Sequence, residues 1–315
     1  MNKFVLRQSL LLLLAATIWG VAFVAQSVGM DYVGPYTFLA SRSFLGAVVL
    51  LPVIYVRDRA KKQITASECG SQSVEDNATV LHGADVSQGK VLALAGVCCG
   101  TCLFVASILQ QIGIMYTTVG KSGFITAMYI VVVPVLGIFM KKRLGIRIWC
   151  GVVLAVTGLY FLCMTPGSIS IQKGDILTGL CAVVFSFHIL TVDYFAPKLD
   201  GVKMSCVQFL TCGILSSVGM MVFEQPTMEA IFAAWLPILY AGALSSGVAY
   251  TLQIVGQRGL NPTVASLLMS MESVISVIAG FVILKQALSV REILGCVIMF
   301  CAIVLVQLPD RVEKC

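Results

Sequence analysis

Ten stretches of about twenty mostly apolar residues follow one another along this chain, at 9–28, 34–56, 91–113, 120–140, 146–164, 174–194, 203–223, 231–253, 262–284 and 290–308. A helix rising 1.5 Å per residue crosses the hydrocarbon of a bilayer in ~20 residues. In that medium every backbone N–H and C=O must be paired within the protein, so only helices and closed barrels span it. Continuous apolar runs without strict alternation select helices. The expected fold class is therefore all-α integral membrane, with ten transmembrane helices. Only 11% of the residues are charged, where soluble domains carry roughly 25%. The longest polar stretch runs from Arg57 to about Lys90, which leaves no room for a soluble catalytic domain. The basic, then apolar opening MNKFVLRQSLLLLLAATIWG has the outline of a signal peptide. No small-x-small cleavage site follows, and the apolar run continues through Val28, so it reads as an uncleaved first span.

Orientation comes from the basic residues, which favour the cytoplasmic side of a membrane. With the N-terminus inside, sixteen Lys and Arg fall in interior segments and four in exterior ones, with Arg42 inside a span. Both termini are expected in the cytoplasm of a cell whose plasma membrane holds the protein. The net charge of +6 is then an orientation signal, and no compact basic region offers a nucleic-acid surface. Ten of the twelve cysteines lie in apolar segments, where Cys packs as a small hydrophobe. Cys99-Gly-Thr-Cys102 has redox spacing but lacks the βαβ context of a thioredoxin-like site.

The chain is an internal repeat. LGIRIWCG at 144–151 matches LSVREILG at 288–295 with an offset of 144, and WGVAF at 19–23 lies over FSFHI at 185–189 with an offset of 166. The difference of 22 residues places an insertion in the first copy, at the polar run 65–88, which reads as disordered. The copies are 1–165, with the polar insertion at about 57–90, and 166–315. Each holds five spans, and an odd number turns the second copy upside down. Inverted repeats of this kind are characteristic of secondary transporters, whose sites lie near the midplane.

AATIWGVAF at 15–23, Arg42, GKSGFITAMYIVVVP at 120–134 and ASLLMSMESV at 265–274 followed by LSVREILG resemble the EamA-type branch of the drug/metabolite transporter superfamily, over essentially the whole chain. The resemblance implies a ten-helix basket with a central cavity, export or exchange of small organic solutes, and no cofactor. In relatives the Glu of the ninth span is often followed by Pro. Here Ser273 stands in that place, so no proline enforces a helix break.

Polar residues within the spans are the candidate site. Glu272 lies about ten residues from either end of its span, ~15 Å of helix, too far to reach water by snorkelling. It serves either a cavity and coupling role or a structural ion pair with Arg42. Arg42, in turn, either snorkels outward or faces inward toward Glu272 or an anionic group of the cargo. Ser266, Ser270, Ser273 and Ser276 share one arc of the ninth span, where small hydroxyl residues let helices approach and bond across. His188, mid-span, reads as an interhelical hydrogen-bonding group or a proton carrier. Stripes at helical spacing add Trp19, Phe23 and Gln26; Ser107, Gln110 and Gln111; Thr118, Ser122, Thr126 and Tyr129; and Gly242, Ser246, Tyr250 and Gln253. The substrate-binding set expected is Trp19, Gln26, Arg42, Gln110, Gln111, Tyr129, His188, Tyr250, Gln253 and Glu272.

Neither a nucleophile–base constellation nor an HxxxH spacing is present in the sequence, so no catalytic or metal site is expected. Spans five and ten have almost no polar side chains and are expected to face lipid or a second copy. The leading reading is a secondary transporter of small organic metabolites or drugs, an exporter or exchanger working by alternating access with Glu272 as a coupling group. A channel or scaffold is the alternative, and an integral-membrane enzyme a weaker one.

Overall fold

A computed structural model describes residues 3–68, 77–117, 119–139, 145–163, 172–284 and 289–307. The described residues are helical, without a β-strand. In chain order the helices are α1 Lys3–Gly29, α2 Pro35–Glu68, α3 Asn77–Ile114, α4 Val119–Ala127, α5 Tyr129–Phe139, α6 Ile146–Cys163, α7 Lys173–Phe195, α8 Gly201–Phe223, the short α9 Met228–Ala233 and α10 Trp235–Leu239. A π-helix at Tyr240–Ala249 leads into α11 Tyr250–Gln257, followed by α12 Pro262–Met269, α13 Met271–Leu284 and α14 Val290–Gln307. Among the described residues eight rods are long and apolar enough to cross a membrane, and Ile146–Phe161 is a shorter apolar one. Together with α14 they make the ten rods the hydropathy pattern predicts.

Local sequence explains several boundaries. Asn261 accepts from the Thr263 N–H and is followed by Pro262, an N-cap with a proline at the first position where no N–H is needed. Asp200 accepts from the N–H groups of Val202 and Lys203 to start α8. Helix extends into the polar insertion from both sides. α2 continues to Glu68 and α3 begins at Asn77, with 69–76 outside the described residues. A helix already nucleated by a membrane span extends at little cost, one hydrogen bond per residue fixed.

Equivalent helices of the two repeats pack on one another in opposite directions. The C-terminal end of α2 meets the N-terminal end of α8 through Arg57–Asp200 at 3.5 Å and Lys203–Asp58 at 2.8 Å. The other end of α2 meets Glu224, just past α8, which accepts from the N–H groups of Tyr36 and Thr37, both at 2.8 Å. Likewise a Cβ on Gly151 of α6 would strike Val306 of α14, and one on Gly158 would strike Met299 and the Gly295 carbonyl. Both pairs are antiparallel, as an inverted repeat requires. The outer faces of α6 and α14, with Val153 and Phe300, are exposed apolar surface.

The main contacts do not keep each repeat together; they interleave the repeats. α1 packs on the π-helix, α11 and α13, and α2 packs on the π-helix. The pseudo-symmetric set has α7 on α3, α4 and α5, with α3 also on α8. One bundle thus comprises α1, α2 and α10 to α13, and the other comprises α3, α4, α5, α7 and α8. Gly20 of α1 lets the backbone of Glu272 approach closely, since a Cβ there would lie 2.7 Å from the Glu272 carbonyl oxygen.

The two ends of the α2–α8 contact differ in strength. Glu224 makes charge-assisted bonds to the first N–H groups of a helix and also accepts from the Thr37 hydroxyl. The Lys203–Asp58 pair is more than a third exposed on both sides, and such pairs contribute about 0–1 kcal/mol. Glu224→Ala is expected to destabilise the purified protein by about 1–3 kcal/mol, and Lys203→Ala by less than about 1 kcal/mol. Thermal unfolding in detergent compares the two; equal losses would contradict the ranking.

Candidate functional site

Two of the rods are broken near their middles. α4 stops at Ala127 and α5 starts at Tyr129, with i→i+3 bonds from Met128 N–H to Ile125 and from Val131 N–H to Met128. Pro134 further down α5 lacks the N–H that would bond Ile130, which loosens the preceding turn. α12 and α13 are broken at Ser270, with no proline at Ser273. Here hydroxyls compete for the carbonyls: Ser266, Ser270 and Ser276 donate to the carbonyls of Thr263, Leu267 and Ser273, each three residues back. Only Ser273 reaches across, to the Gly123 carbonyl of α4 at 3.5 Å.

The break places Glu272 in the first turn of α13. A helix N-terminus carries unpaired N–H groups and a positive dipole end, which favour a carboxylate. The second support is Tyr129, whose hydroxyl donates to Glu272 Oε1 at 3.1 Å. This bond joins the two interleaved bundles, since Tyr129 begins α5 and Glu272 lies in the first turn of α13.

Around these two residues lies a cavity with about 520 Å³ of empty space, its open mouth included. Both bundles line it. From the first come Trp19, Phe23, Gln26, Arg42, Ser245, Tyr250, Gln253, Met269 and Glu272, and from the second Gln110, Thr126, Tyr129, Phe185 and Ile189. Trp19 and Tyr250 meet edge to face at 4.7 Å, and Gln110 donates to the Thr126 hydroxyl at 3.2 Å. Arg42 is 4% exposed and lies beside Tyr250 and Cys212. Among the described residues no ion pair joins it to Glu272, so the structural pairing of these charges does not form. The cavity contains both a guanidinium and a carboxylate, each held without the other.

Eight of the ten residues singled out from sequence line this cavity. The two others, Gln111 and His188, are fully buried behind its wall. Gln111 follows Gln110 and is turned about 100° away on the helix. His188 faces α8, where its Nε2 is 3.2 Å from the Gln208 side-chain oxygen. In the eighth span the stripe Gly242, Ser246, Tyr250, Gln253 assumes α spacing, and the π-helix breaks it. Gly242 and Ser246 turn toward Leu45 and Gly46 of α2, and Ser245 lines the cavity instead. An i→i+5 segment shifts each following side chain around the axis, and such segments are frequent at functional sites. Phe185 and Ile189 were readable from the repeat, because the 166-residue shift lays Trp19 and Phe23 on them. Ser122 is buried, and Thr118 lies outside the described residues.

The cavity is sealed on the side where α2 ends. There Ile254 joins a cluster with Ala95, Cys99, Leu199 and Met204, and the Gln8 amide donates to the Val255 and Arg258 carbonyls at 2.9 Å each. Arg258 donates to the Pro197 carbonyl at 2.8 Å, from one bundle to the other. No cluster of three metal-ligating side chains occurs among the described residues, and the cysteines described, including Cys99 and Cys102, are free thiols.

Comparison with known proteins fits this architecture. Residues 6–164 and 172–308 each match the model of the EamA-like transporter family. The chain belongs to that family. A protein of Archaeoglobus fulgidus named "Uncharacterized transporter" is 25% identical over 94% of this chain and 84% of its own length. Another, from Bacillus subtilis, "Uncharacterized transporter YoaV", is 21% identical over 91% of each chain. A solved crystal structure superposes with a TM-score of 0.74 at 16% identity, covering 96% of both chains, and so shares the fold. This EamA-like chain is thus a multi-pass membrane protein of a transporter family, with a cavity between two interleaved bundles.

The side-chain orientation set by the π-helix can be tested directly. With the native cysteines replaced, Ser245→Cys is expected to react with a small water-soluble thiol reagent, and Ser246→Cys to stay protected by α2. Labelling of Ser246→Cys at the rate of Ser245→Cys would contradict the orientation of this segment.

Proposed function

We propose that this EamA-like protein is an exporter or exchanger of small organic solutes in the cell membrane, working by alternating access. The observation that carries this reading is a cavity near the middle of the spans, walled by both bundles and sealed at one end. The moving units are the interleaved bundles rather than the repeats, because each bundle takes helices from both copies. The basic residues favour a cytoplasmic position for the sealed end, near Arg57, Lys198 and Arg258, together with both termini. The conformation then faces outward, and the ties at Arg258–Pro197 and Arg57–Asp200 are those that part when the protein turns inward. The Tyr129–Glu272 bond joins the bundles at the site itself, so occupancy at Glu272 is coupled to their relative position.

Glu272 is the group whose charge must be met when the cavity is occluded, by a proton or by a cationic group of the cargo. A buried charge left uncompensated costs several kcal/mol. Untargeted metabolite profiling of cells and medium tests the function. Cells with the native protein are expected to release specific solutes that cells with matched amounts of Glu272→Gln retain. Identical profiles, with both proteins equally abundant in the membrane, would refute a transport role for Glu272.

A further inference from the structure

We infer, resting on the transporter reading above, that Gln257 lines the cytoplasmic half of the solute path, and that its amide is the polar group which solute and water meet when the sealed end opens. Gln257 is 1% exposed, and neither its side-chain oxygen nor its side-chain nitrogen has a partner among the described residues. Buried polar atoms are rarely left unpaired, and a buried amide without a hydrogen bond is costly. Gln8 shows the ordinary arrangement at the same end. It is 4% exposed, and its amide nitrogen donates to the Val255 and Arg258 carbonyls. Gln257 has no such bonds in the sealed state, and it is satisfied in a conformation where this end is wet.

Its place on α11 says where that water enters. Gln253 and Gln257 are four residues apart, ~6 Å along the helix axis and about 40° around it. Gln253 lines the cavity, and its Oε1 is also without a partner among the described residues. Gln257 thus carries the polar lining of the cavity one turn toward the cytoplasm, into the seal. Its neighbours on the helix define the direction. Gly256 packs on α1, where an added Cβ would lie 3.0 Å from the Leu12 side chain and 3.3 Å from the Gln8 carbonyl oxygen. Ile254 packs in the cluster with Ala95, Cys99 and Met204 of the other bundle. Gln257 falls between these two faces on the helical wheel, at the seam where α1 meets the second bundle. Parting of Arg258 from the Pro197 carbonyl draws the two sides of that seam apart and wets it beside Gln257.

The unpaired amide has a second consequence. It weakens the sealed state relative to the open one, and so shifts the balance between them.

Two measurements on the full-length protein test this. With the native cysteines replaced, Gln257→Cys in inside-out vesicles is expected to react with a membrane-impermeant methanethiosulfonate reagent added from the cytoplasmic side. The rate is expected to be at least tenfold below that of Lys198→Cys, an exposed position, because only the open fraction reacts. In lipid nanodiscs without solute, spin labels on Arg7→Cys of α1 and Lys90→Cys of α3, both exposed positions, report the width of the sealed end. Two distances are expected. Gln257→Met removes the amide at nearly constant volume and is expected to cut the longer-distance fraction at least threefold. Gln257→Asn keeps an amide and is expected to retain most of that fraction. A melting temperature of Gln257→Met at or above that of the native protein is expected as well, since removal of an unpaired buried polar group does not destabilise.

Gln257→Cys that reacts only after denaturation overturns the proposal. So does Gln257→Met with the two distances in native proportions, the result that a water resident beside the amide in both states would give. A single fixed Arg7–Lys90 distance in the protein with native Gln257 would instead show that the transporter reading has failed, and the proposal with it.

Discussion

A carboxylate in the middle of a hydrocarbon layer depends on a helix that stops there. Placing an acidic side chain at the centre of a span costs about 2.5–3.5 kcal/mol on insertion scales. Glu272 meets that cost with two local supports, the N-terminus created by the break at Ser270 and the hydroxyl of Tyr129. The break needs no proline. Three serine hydroxyls bonding three residues back do the same work on the carbonyls. The matching break at Met128 in the other repeat begins α5 at Tyr129 itself. Two pseudo-symmetric interruptions thus bring one acceptor and one donor together across the axis, and the cavity is built around that contact.

The interleaving of the repeats has a mechanical consequence. If each five-helix copy packed on itself, the interface between copies would be the weak plane. Instead α1 and α2 pack with the eighth and ninth spans, and α7 and α8 with the third span, α7 also with the fourth. The cavity lies between two mixed bundles, which stay joined along the α2–α8 contact. The polar ties between the bundles at the sealed end are partly solvent-exposed: Arg57–Asp200, Lys203–Asp58 and Arg258 to the Pro197 carbonyl. Exposed pairs of this kind are weak, which suits contacts that open and close. The tie at the far end, Glu224 on the start of α2, is the firmer one.

The rods were legible because lipid imposes one rule along the whole chain. The expected spans at 174–194 and 203–223 end within about two residues of Lys173–Phe195 and Gly201–Phe223. Arg42 and Glu272 were legible because charge in a span demands a reason. The interruptions were not legible, since a serine that bonds its own backbone looks in sequence like one that bonds across. The π-helix was hidden for a related reason: Gly242 and Ser246 satisfy α spacing on paper and pack against α2 in the fold. His188 stood out as a lone imidazole in a span, yet Gln208 holds it away from the cavity. Phe185 and Ile189 were within reach through the repeat but carry no polarity to draw attention.

Alternating access requires that the two mixed bundles move reciprocally about the cavity. Spin labels at Lys3 and Lys198 would report one end, and labels at Tyr32 and Tyr116 the other; all four residues are exposed. Distances measured by double electron–electron resonance in lipid nanodiscs, with and without exchanged solute, decide the matter. Two populations whose proportions change in opposite senses, the first pair lengthening as the second shortens, are the predicted result. Single, unchanging distances at both ends would contradict alternating access in this protein.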